Sequence, residues 1–136
     1  GFHHAFPGHG EGFCAINDIA VGIRCLQREG LVRTAMVIDC DVHQGNGTAA
    51  IFAGDPSVFT LSIHQYNNYP SVKPCSDIDI HLPDGASDAE YNARLRAAFP
   101  AVERDRYIQP ELESLAGWIE EGRLCELAAR GGVVLE

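Results

Sequence analysis

The stretch Ala35 to Gly47, AMVIDCDVHQGNG, limits the fold more than any other part of the chain. Its first four residues, Ala35-Met36-Val37-Ile38, are an uninterrupted apolar run, the pattern of a strand buried on both faces in a parallel sheet. Asp39, Asp41 and His43 follow in alternation. If the extended conformation persists, period-two geometry projects all three to one side at the strand's carboxyl end, where open α/β sheets place their ligands. Gly45 and Gly47 are then expected to turn the chain sharply over that site. Asp41 and His43 are ordinary zinc-ligand types two residues apart, which makes them the candidate metal pair. The competing reading is that the motif only caps the turn that follows.

The flanking sequence fits an α/β order. Asn17 or Asp18 can cap a helix running to about Glu29, with Ile19, Ile23 and Leu26 as its buried stripe and Gly30 closing it. A short helix is expected from Thr48 to Phe52. Val58 to His64 reads as a second buried strand that ends in Ser62 and His64, and the loop from Gln65 to Ser76 carries two exposed aromatics, Tyr66 and Tyr69. Asp77 to Leu82 alternates as an edge strand does, with Asp77, Asp79 and His81 on a solvated face. Ser87 and Glu90 form a capping box for a helix whose apolar side is Tyr91, Leu95, Ala98 and Phe99. From Ala101 the character changes to charged, helix-forming sequence, without a clear strand until Gly132 to Leu135.

With 136 residues and a formal net charge of −9, the chain has one domain's worth of sequence and repels phosphate backbones and anionic membranes. Cationic substrates suit that field better. Five cysteines without a CxxC pair read as reduced, mostly buried thiols of an intracellular protein, and the location expected is cytoplasmic. No apolar run is long enough for a membrane span and no signal peptide is visible. The opening Gly1-Phe2-His3-His4, without an initiating Met, suggests a piece of a longer protein.

His3-His4, Gly12-Phe13-Cys14, Asn17-Asp18, Asp39-x-Asp41-x-His43 with Gly45 and Gly47, and Ser62-x-His64, in this order and spacing, resemble the zinc-dependent histone deacetylase family. That family includes acetylpolyamine amidohydrolases and acetoin-utilisation-type deacetylases. The resemblance runs from Gly1 to about Phe99. It implies a three-layer α/β/α architecture with a mainly parallel sheet, arginase/deacetylase-like and here incomplete: a partial domain over 1–100 and a helical segment over 101–136 that does not match. It further implies that Asp41 and His43 hold a catalytic Zn2+, and that His4 is the general base with His3 and Asp39 as its electrostatic partners. Phe13 and Tyr69 would wall an acyl-lysine channel, although the family usually has phenylalanine at Tyr69, and the Gly12 carbonyl would accept the substrate amide N–H. A structural monovalent cation (K+) near Asp39, Asp41, His43 and Ser62 is also a family trait. Implied substrates are acetylated lysine in protein or an acetylated polyamine.

The family's third zinc ligand and carbonyl-polarising tyrosine have no matching motif; Asp105 and Tyr107 stand outside any glycine-rich loop. A truncated or degenerate non-catalytic member is therefore the alternative, and an arginase-like two-metal hydrolase the less favoured one.

Overall fold

The computed structural model describes residues 1–104 and 133–135. Four parallel strands form one sheet in the order β3-β2-β1-β4, with β1 at Ala35–Asp39, β2 at Val58–Gln65, β3 at Ile78–Leu82 and β4 at Val133–Leu135. The two central strands are the two apolar runs of the sequence. All of β1 is buried, as is β2 up to its last residue.

Alternate side chains of these strands feed two cores. Met36, Ile38, Phe59, Leu61 and Ile63 pack with Ile80 and Leu82 against Leu95 and Phe99 of helix α3, Asp88–Arg104. On the opposite face Ala35, Val37 and Val58 meet Ile19, Ala20 and Ile23 of helix α1, Asp18–Arg28, and Phe52 of helix α2, Asn46–Phe52. The result is the three-layer α/β/α arrangement, because a parallel strand apolar on both sides must be covered on both.

Local signals fixed most element ends. Asn17 caps α1 by accepting from Ala20 N at 2.9 Å, and Gly30, at φ +70°, closes it with a bond from its N–H to Gln27 O. Ser87 Oγ accepts from Glu90 N at 3.3 Å at the start of α3. Among the described strands, β3 lies at the edge of the sheet, as its alternation predicts. Other expectations need correction. The stripe of α1 is Ile19, Ala20 and Ile23, while Leu26 is 40% exposed. Helix α2 starts at Asn46 rather than Thr48. Cys14 is buried and Cys25 half-buried, but Cys40 and Cys75 are exposed, each lying in a connection rather than a core element.

The face of β3 expected to be solvated does leave Asp77 and His81 exposed and Asp79 half-buried, but it also carries a set of polar ties. Asp77 accepts from Thr60 N at 2.7 Å, Asp79 accepts from Gln44 Nε2 at 2.8 Å, and His81 Nδ1 lies 2.9 Å from His64 Nε2. Gln44, fully buried, also donates to Pro74 O at 2.7 Å and so fastens the 66–77 connection to the end of β1. Residues 105–132, with Asp105, Tyr107 and Cys125, lie outside the described residues; of the segment expected to be helical, the end of α3 and strand β4 are described.

Candidate active site

The site lies off the carboxyl end of β1, whose last residue, Asp39, pairs with Ser62 of the longer strand β2. Strand β1 stops at Asp39, and the extended conformation does not continue to His43 as expected. Each acidic side chain instead turns the chain that follows it: Asp39 Oδ1 accepts from Asp41 N at 3.0 Å and Asp41 Oδ1 from His43 N at 2.8 Å. Asp39 therefore stays inside the fold at 2% exposure, whereas Asp41 and His43 reach the surface side by side. Turn capping and a metal pair are compatible here. His43 Nδ1 is 3.1 Å from Asp41 Oδ1, and both side chains are accessible.

His3 and His4 come from the N-terminal segment, which is clamped between α1 and α2. Phe2 N donates to Asp18 Oδ1 at 2.7 Å, Thr48 N donates to His3 O at 3.0 Å, and Asn17 Nδ2 donates to Thr48 Oγ1 at 3.0 Å. Both histidines are buried, with ring centroids 4.1 Å apart. His3 Nδ1 lies 2.6 Å from Asp39 Oδ2, and His4 Nδ1 lies 2.7 Å from Asn46 Oδ1. The His4 ring stands 5.9 Å from that of His43 and 4.9 Å from that of Tyr69.

Gly45 and Gly47 do not turn the chain through a left-handed conformation, as neither has positive φ. Their reason is space. A Cβ on Gly45 would run into the Asp39 carboxylate and one on Gly47 into the Ala5 carbonyl. Around the site the left-handed residues are instead Gly12 and Phe13, at φ +54° and +65°, the centre of a two-residue turn closed by Glu11 N→Cys14 O at 3.0 Å and Cys14 N→Glu11 O at 2.8 Å. That turn lifts the Phe13 ring wholly into solvent, while Tyr69, 38% exposed, closes over His4 and His43.

Two residues that the sequence motifs did not single out join these parts. Asn46, inside the glycine stretch, is 1% exposed and donates through Nδ2 to Glu11 Oε1 at 2.8 Å. Glu11 Oε1 also accepts from the Tyr69 hydroxyl at 2.7 Å. The only sequence signal for Glu11 is a charged residue set between two glycines.

Electrostatics follow from these contacts. Burial lowers the pKa of His4, reinforced by His3 and His43 and opposed by the Asn46 hydrogen bond. Burial works to raise that of Asp41, but the His43 N–H and the charges of His3 and His43 prevail and leave it lowered. Bonds from Tyr69 and Asn46 lower Glu11, and partial burial together with that carboxylate raises Tyr69 to about 12. These shifts favour the neutral form of His4 and the ionised form of Asp41 beside it.

The profile of the histone deacetylase domain matches residues 1–112. The chain belongs to the histone deacetylase family. It is 53% identical over 91 residues to an uncharacterised protein of Picosynechococcus, covering 67% of this chain and 30% of that protein. It is 35% identical over 139 residues to the histone deacetylase-like amidohydrolase of Pseudomonas aeruginosa, covering 93% of this chain and 36% of the relative. An HDAC homologue from Aquifex aeolicus superposes with a TM-score of 0.69 at 26% identity, over 99% of this chain and 44% of that one. The chain thus spans about a third of the length of these two curated relatives. Among its described residues no helix is long and apolar enough to cross a membrane.

Proposed function

We propose that this chain carries the proton-handling part of a zinc-dependent deacetylase site that hydrolyses an acetylated lysine or a related acetylated amine. The observation that carries the proposal is the placement of His4. It is a buried imidazole whose neutral form burial favours, with Nδ1 against Asn46 Oδ1 and its ring next to the Asp41–His43 pair. A base of this kind suits amide hydrolysis near neutral pH, and general-base catalysis contributes about 10²–10⁴-fold.

The donors fit zinc in part. Asp41 and His43 are both ordinary zinc ligands, accessible and adjacent, and Asp41 favours its ionised form. No group of three His, Cys, Asp or Glu side chains is gathered for a metal among the described residues, so this pair would supply two of the three donors. When bound, zinc would supply Lewis acidity toward water and the amide carbonyl. His4 Nε2 would take a proton from the attacking water and pass it to the amine nitrogen as the C–N bond breaks, giving acetate and free amine. His3, paired with Asp39, would be the electrostatic and proton-handling neighbour of His4. Phe13 and Tyr69 would flank the acyl-lysine stem, and Gly12 O would accept the substrate N–H. A monovalent cation such as K+ would sit near Asp39, Asp41, His43 and Ser62. The net charge of −9 favours cationic partners, acetylated proteins or polyamines.

Bound zinc per chain after exhaustive dialysis, measured on wild type and His43→Ala together, tests this reading. Near-stoichiometric zinc lost in the variant is expected. Zinc far below stoichiometry in both would assign the chain to a non-catalytic role.

A further inference from the structure

We propose that Glu11 is a positioning residue that sets the tautomer of His4 through the Asn46 amide, while its other hydrogen bond anchors Tyr69 over the same imidazole. The proposal rests on the reading of His4 as the base and extends it to a residue outside the motifs.

The argument is one of donors and acceptors. An ionised carboxylate can only accept, so the Asn46 group facing Glu11 must be its NH₂, at 2.8 Å. The amide is planar, which turns Asn46 Oδ1 toward His4 Nδ1, at 2.7 Å. An amide oxygen can only accept, so His4 Nδ1 must carry the hydrogen. Its lone pair is then on Nε2. Without a fixed acceptor on its far side, a buried asparagine can present either end to a histidine, and the imidazole can answer with either tautomer. The Glu11 charge removes that freedom.

Glu11 is well held for the task. Reciprocal backbone bonds with Cys14 pin its main chain at the foot of the tight turn. Its Oε1 accepts from both Tyr69 and Asn46, and its Oε2 lies 3.3 Å from His9 Nε2. Gly12 brings the turn against His4, since a Cβ there would lie 2.5 Å from the ring. One carboxylate thus couples the channel wall to the base. His3 supplies an internal reference, as its Nδ1 faces Asp39 instead.

The test is two-bond 1H–15N correlation of the histidine rings in the full chain at about pH 8, where an ordinary imidazole is neutral. Wild type should show His4 as the Nδ1–H tautomer. Glu11→Ala should mix in the Nε2–H form and leave His3 unchanged, and Glu11→Gln, which keeps an acceptor oxygen, should retain the wild-type tautomer. Asn46→Asp added to Glu11→Ala should restore Nδ1–H, because a carboxylate can only accept; a general loosening of the fold would not be repaired this way. Glu11→Leu serves if Glu11→Ala does not fold. Where deacetylation is measurable, Glu11→Ala should lower kcat about 10-fold, part of what a general base contributes. An unchanged Nδ1–H signal in Glu11→Ala would overturn the role of Glu11 and leave the base assignment standing. Nε2–H in the wild type would overturn both.

Discussion

Replacing Gly12 with alanine should be among the most damaging small substitutions in the chain, for two reasons that can be separated. The backbone there is left-handed, at φ +54°, and a Cβ in that region costs about 1–2 kcal/mol. The same Cβ would lie 2.5, 2.7 and 2.8 Å from Cδ2, Cγ and Cβ of His4. His4 cannot simply withdraw, since it is 6% exposed and bonded to Asn46. Overpacking of that kind adds about 1–3 kcal/mol, for a total of roughly 2–5 kcal/mol out of the 5–15 kcal/mol that holds a typical domain.

Gly85 supplies the control. It has a comparable left-handed φ of +73°, yet nothing lies within 4 Å of where its Cβ would be. Urea unfolding of wild type, Gly12→Ala and Gly85→Ala, compared through midpoints at constant slope, isolates the His4 collision as the difference between the variants. That difference should be at least about 1 kcal/mol. Equal losses would mean that His4 yields freely, and would undo the view that the turn and the imidazole are packed as one unit.

Asp39→Asn removes a charged acceptor that serves both His3 and Asp41 N, and should cost about 2–3 kcal/mol in the same assay. Phe99→Ala, at 1% exposure between α3 and the sheet, should cost about 3–5 kcal/mol, against less than about 0.5 kcal/mol for Val72→Ala at 80% exposure. His64 is buried and its pKa is lowered to about 4, so between about pH 6.5 and 4 the unfolded chain binds a proton that the folded chain refuses. Stability should therefore fall by up to about 3 kcal/mol as pH drops through that window, with a flatter profile in His64→Asn. Phe13→Gly relieves left-handed strain of about 1–2 kcal/mol at a glycine entropy cost of about 0.5–1 kcal/mol, so it should be no less stable than wild type while raising KM for an acetyl-lysine peptide.

The elements were legible wherever a local signal decided them. Asn17 and Gly30 bracket α1, the Ser87–Glu90 pair starts α3, and two β-rich apolar runs form the sheet centre, because capping and burial period act over a few residues. What was missed depends on approach between distant segments. Gly45 reads as a turn glycine in sequence, whereas in space it makes room for a carboxylate six residues earlier. Asp79 looks like a solvated strand residue, yet it meets Gln44 across 35 positions. Glu11 and Asn46, also 35 apart, carry no motif and acquire their roles only when the turn reaches α2.

The same comparison shows how the site is built. The polar side chains that would meet metal or move protons are not held by the strand that precedes them; beyond Asp39 they depend on side-chain bonds to neighbours in space. Asp39 turns the chain at Asp41, Asp41 turns it at His43, and Asn46 at the start of α2 faces His4. The pairing of β1 ends at Asp39, so polar side chains share with a few backbone bonds the work of fixing geometry, and each one that does so is itself committed to a protonation state or an amide orientation. Removing any link should therefore disturb the chemistry of the next more than it disturbs the fold, which is why a tautomer or a zinc content reports on this site more directly than a melting temperature does.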